Sequence, residues 1–82
     1  MSEAAIREAI LAIAAERGAE KSLCPSEAAR RLAPEAWRPL MARVRREAIT
    51  LAREGRIEIL RKGKPVDPDG AIRGVIRLRI RP

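Results

Sequence analysis

The stretch W-R-P-L-M-A-R-V-R-R-E-A-I-T-L-A-R-E-G, residues 37–55, decides how this chain folds. At about 100° per residue, Leu40, Val44, Ala48 and Leu51 fall on one stripe, with Trp37, Met41 and Ala52 beside it. Arg43, Arg46, Thr50 and Arg53 fall on the opposite side. One face needs a core, and the other presents guanidinium groups to solvent. Pro39 fits the first helical position, where its missing N–H costs nothing. Inside a longer helix from Pro34 it would cost ~3 kcal/mol. Gly55 stops the helix. The spacing predicts the longest helix of the chain, with the other elements arranged to hold it.

Working outward, residues 2–17 read as a first helix. Ser2 is placed to cap it, and Glu3 suits the positive end of its dipole. Ile6, Ile10, Ile13 and Ala14, with Ala9, form its apolar stripe, and Gly18 ends it. Residues 20–23 have room for a very short strand or bridge centred on Leu23. Residues 24–32 read as a second helix with Pro25 at its first position and Ala28, Ala29 and Leu32 inward. Residues 34–38 form a turn, in which Trp37 plugs the angle between the second and third helices. That plug reading is preferred to base stacking, because a lone aromatic can bury ~150–250 Å² in a small core.

Beyond Gly55, Ile57 and Ile59 alternate with polar residues. From Val75 to Arg81, Ile76, Leu78 and Ile80 point one way and Arg77, Arg79 and Arg81 the other. Between these runs, residues 62–74 hold three Gly and two Pro, so they read as a long loop at the tip of a hairpin. The order is helix, brief strand, helix, helix, strand, loop, strand. It predicts one α+β domain over residues 1–82: a winged helix, with a three-helix helix-turn-helix core and a C-terminal two-stranded β-hairpin wing. A three-helix bundle with a loose basic tail is the rival. A disordered tail has no reason to alternate as 75–81 does.

The 82 residues include one Trp, no Phe and no Tyr, so the core must be aliphatic. Eighteen Lys and Arg against eleven Asp and Glu give a net charge of +7. Residues 1–20 carry two basic and four acidic side chains, 21–55 eight and four, and 56–82 eight and three. An acidic first helix before a basic remainder suits a molecule with one side for polyanions. No segment approaches the ~20 apolar residues of a membrane span. Met1-Ser2-Glu3 has an acid where a signal peptide has bases. The lone Cys24 allows no internal disulfide. A cytoplasmic protein is the expectation.

Enzyme chemistry is poorly supplied. With no His and one Cys, the usual structural zinc sites are excluded. Cys24 sits at a helix N-terminus, where a thiolate is favoured, but it lacks a base and reads as a cap. Ser26 and Glu27 read as helix-start residues rather than a phosphate site. The G-K-P-V after Lys62 lacks the strand–loop–helix setting of a phosphate loop. No enzyme, cofactor, metal or small-molecule substrate is expected.

The segment Cys24-Pro25-Ser26-Glu27-Ala28-Ala29-Arg30 resembles the C-P-S-E-x-A-R signature of a small bacterial family. Trp37-Arg38, Leu40-Met41, Val44-Arg45, Ala48, Leu51, Gly55 and Lys62-Gly63-x-Pro65-Val66 extend the likeness over nearly the whole chain. That family is a domain of unknown function, and the resemblance implies a winged-helix-like fold. It implies no activity, because a fold by itself names none.

The functional expectation therefore comes from the residues. Arg43, Arg46, Thr50 and Arg53 would meet a major groove or its phosphates, and Arg38 a phosphate near the helix start. Lys62 and Lys64 would contact double-stranded DNA from the wing base, while Asp67 and Asp69 would repel phosphate from the tip. Glu47 and Glu54 would partly neutralise the stripe by pairing along the helix. Arg77, Arg79 and Arg81 read as charges protecting an edge strand. The alternative is a protein-docking module using an apolar patch around Ile49, about 130° from the core stripe, and Leu60.

Overall fold

The computed structural model describes residues 1–82. The elements in order are α1 (Glu3–Arg17), α2 (Pro25–Leu32), a 3₁₀ turn (Arg38–Leu40), α3 (Met41–Arg53), β1 (Ile57–Arg61), β2 (Lys64–Pro65) and β3 (Arg77–Ile80). This is an α+β winged-helix-like architecture: three helices packed on one another and on an antiparallel sheet of order β2-β1-β3.

Local chemistry accounts for the helix ends. The Ser2 side chain accepts the Ala5 N–H at 3.1 Å, and Gly18 closes α1 with φ 79°. Pro25 opens α2. The Cys24 N–H, at its cap, donates to Glu27 Oε2 at 2.8 Å. Pro39 does not open α3. It lies in the 3₁₀ turn, and the α-helix begins at Met41. A proline ring tolerates either geometry at a helix start, so the sequence could not choose between them. At 13 residues α3 is shorter than α1, which has 15, so the longest α-helix is α1.

Fifteen buried residues form one aliphatic cluster. It includes Ile6, Ile10 and Ile13 of α1, Ala28 and Ala29 of α2, and Val44, Ala48 and Leu51 of α3. The sheet contributes Ile57, Ile59 and Leu78, and Leu23 and Ile76 complete the cluster. Leu23 forms the expected bridge, exchanging two 2.8 Å backbone hydrogen bonds with Leu78. The alternation at 76–80 holds, with Ile76 and Leu78 buried and Arg77 outward.

The wing departs from a two-stranded hairpin with a long tip. β1 turns tightly into β2 through Lys62 (φ 52°) and Gly63 (φ 80°), pairing Leu60 with Pro65 and Arg61 with Lys64. Two successive positive φ values are what a two-residue turn between right-twisted strands requires. The chain then crosses to the far side of β1, where β3 pairs Ile57 with Ile80 and Leu60 with Arg77. The segment 66–74 does not project. Val66 and Ile72 pack against the core, and two contacts join it to α3: Arg53 Nε to Asp69 Oδ1 at 2.6 Å, and Arg45 Nη1 to Gly74 O at 3.2 Å.

The apolar patch expected around Ile49 and Leu60 is not exposed. Ile49 is half-buried and packed on the core, and Leu60 is 5% exposed. The large apolar side chains left exposed are Met1 and Val75. Arg79 and Arg77 are also more than edge charges. Arg79 pairs with Glu58 across the strands at 2.9 Å, and Arg77 donates to Ser22 Oγ and Ser22 O, each at 2.9 Å.

Candidate nucleic-acid interface

α3 carries most of the residues expected to meet DNA, and its neighbours decide which of them are available. The acids of the helix do not pair along it. Glu54 receives a two-pronged hydrogen bond from Arg7 of α1, at 2.7 and 3.1 Å. Glu47 is 8% exposed, close enough to Arg7 to stabilise its charge. The hydrogen bond from Arg7 holds the Glu54 carboxyl below its usual range, and Glu54 raises Arg7 in return. Glu54 is thus directed to α1 and Glu47 is buried, and the outer face of α3 is left without acids of its own.

That face is narrower than the sequence stripe. On one flank, Arg43 donates to the Met1 carbonyl and lies 3.9 Å from Glu3 Oε1. On the other flank, Arg45 and Arg53 are joined to the 66–74 segment. The Thr50 hydroxyl donates back to Arg46 O at 3.3 Å. Between the flanks Arg46 stands exposed, in none of the six ion pairs.

Lys62 and Lys64 are exposed and unpaired at the β1–β2 turn. Arg38 is exposed in the 3₁₀ turn, its guanidinium carbon 4.6 Å from the Trp37 ring centre. Arg30 lies over the same ring at 4.3 Å. Trp37 is half-buried and packs against the core, so its ring joins the helices and also seats two cations.

The C-P-S-E segment has a structural explanation. Glu27 caps the Cys24 N–H and receives Arg17, which also donates to Ser22 O at 3.0 Å. The Arg17 hydrogen bond is the main cause holding the Glu27 carboxyl below its usual range. Burial opposes it, and the Cys24 N–H and Arg77 assist. Ser26 donates to Cys24 Sγ at 3.2 Å. These contacts fasten α1, the bridge and α2 together.

Sequence reasoning did not reach Arg45 and Arg30, whose settings depend on Gly74 and Trp37. A helical wheel puts Arg45 on a flank and says nothing of Gly74. The chemistry available here is anion binding. Six arginines have acid partners, and twelve of the eighteen basic side chains do not. No helix is long and apolar enough to cross a membrane.

Residues 3–81 match the family described as "Protein of unknown function (DUF3253)". No curated protein matches the chain.

Proposed function

Because the chain belongs to the DUF3253 family, whose description carries no activity, we propose from its own surface that it is a winged-helix module binding duplex DNA, chiefly through backbone phosphates. The observation that carries this reading is the segregation of charge on α3. Glu54 is held by Arg7 and Glu47 is buried, while Arg46, Arg38, Lys62 and Lys64 stay exposed and outside the ion pairs. An α-helix is about 10–12 Å across with its side chains, and the major groove is about 12 Å wide, so the 13-residue α3 fits into it. Arg43, Thr50 and Arg53 keep supporting parts, with Arg43 and Arg53 available to phosphate once their present partners are displaced.

A docking module is the less supported reading, since Ile49 and Leu60 are covered. An NMR amide titration with a short generic duplex, repeated between about 50 and 200 mM salt, tests the proposal. Shifts should map to Arg46, the 3₁₀ turn and the Lys62–Lys64 turn, and should shrink with salt. Arg46→Ala should reduce the log–log salt slope by about 0.9. Absence of shifts at low salt refutes the reading.

A further inference from the structure

We propose that Arg45 and Arg61, meeting at Gly74, form a clamp for a backbone phosphate on the flank of α3; the assignment rests on the duplex-binding reading above. Arg45 Nη1 donates to Gly74 O at 3.2 Å. Arg61, the last residue of β1, approaches the same glycine from the sheet. A Cβ built on Gly74 would sit 3.6 Å from Arg61 Nη2 and 3.9 Å from its Cζ. Both guanidinium groups therefore reach one residue, which places them within roughly 10 Å of each other.

Gly74 permits this meeting. Its φ of 74° is strained for any side chain, and the space a methyl group would take lies against the Arg61 guanidinium. The positive charge does not end with the pair. Arg73 precedes Gly74, and Lys64 stands opposite Arg61 in the β1–β2 register. None of these four cations has an acid partner, whereas six other arginines do. The acids nearest these cations in the chain are already engaged or buried: Asp69 pairs with Arg53, Asp67 accepts the Asp69 N–H at 2.8 Å, Glu58 pairs with Arg79, and Glu47 is buried.

Like charges gathered without a counter-ion repel, and an anion between them relieves the repulsion. The planar forks of two arginines match phosphate oxygens, and Arg45 spends only one of its five N–H groups on Gly74. The clamp lies on the flank of α3 that the folded-back segment covers. A DNA strand bordering the groove occupied by α3 would pass over it.

The test is fluorescence anisotropy of a labelled generic duplex against the full chain, across a salt series. Arg45→Gln and Arg61→Gln should each reduce the salt slope by about 0.9, and weaken binding about eightfold near 0.1 M salt, whatever the sequence. Arg61→Lys should keep the slope, because the charge remains. The Arg61 side chain makes no hydrogen bond, so Arg61→Gln decides the matter if Arg45→Gln loosens the fold. Unchanged slopes in both Gln variants, with the parent still binding, overturn the clamp alone. An Arg61→Lys loss equal to that of Arg61→Gln also overturns it, since charge would not be the cause. No binding by the parent at low salt removes the duplex reading and the clamp together.

Discussion

Glu27→Gln should destabilise the protein by about 1–2 kcal/mol at neutral pH, and the loss should fade in acid. Glu27 has two duties, accepting the Cys24 N–H at 2.8 Å and receiving Arg17 from α1. Gln keeps the shape but offers one acceptor oxygen where the carboxylate offers two, so one partner meets an N–H instead. A lost helix cap costs about 1 kcal/mol, and removing an anion from a first turn costs about 0.3–1 kcal/mol more. The ion pair itself is left out of the sum, because its partners are about a third exposed and solvent screens them. For a domain of this size each kcal/mol lowers Tm by about 4–8 °C. The Glu27 carboxyl titrates below its ordinary 4.5 in the folded state. Its contribution is therefore complete above that value and is lost as pH falls through the lower folded-state value. Thermal melts of both proteins by circular dichroism, from about pH 7 to below 4.5, measure the gap. A gap that is absent at neutral pH, or that stays constant into acid, refutes the reasoning.

Two further outcomes follow from the packing and the wing. Asp69→Asn should tighten duplex binding and steepen the salt slope by up to about 0.9, because Arg53 is released and an acid is removed beside it; anisotropy titrations with both proteins check it. Leu78→Ala should abolish cooperative unfolding in a thermal melt. Leu78 is fully buried and bonded to both β1 and Leu23, and the cavity costs ~2–5 kcal/mol against a net stability of ~3–5 kcal/mol.

Where residues next to each other in the chain set the outcome, the fold was legible. The i, i+4 spacing of Ile6 and Ile10, the Ser2 cap and the strict alternation at 76–80 each fixed an element. Even the Leu23 bridge could be anticipated, though its partner could not. Illegible features depended on distant partners. Lys62-Gly63 looked like the start of a long loop because residues 62–74 hold three Gly and two Pro, and Lys does not mark the positive φ of a two-residue turn. Ile49 looked exposed at about 130° from the core stripe, yet it is half-buried against the core. Glu47 and Glu54 looked like neighbours of Arg43 and Arg46, yet Glu47 is buried and the partner of Glu54 is Arg7, more than forty residues earlier. The candidate site was therefore legible as a basic helix face. Its division into free and engaged arginines was not.

The aliphatic core has a practical consequence. Trp37 is the sole aromatic residue, so it is the only fluorophore excited at near-ultraviolet wavelengths, and no tyrosine contaminates its emission. Its indole lies beneath Arg30 and Arg38, at the junction of α2 with the 3₁₀ turn. A polyanion that draws either guanidinium away changes the polarity around the ring, and the emission maximum moves with it. The protein thus carries an optical reporter at the edge of its basic face, readable without a label.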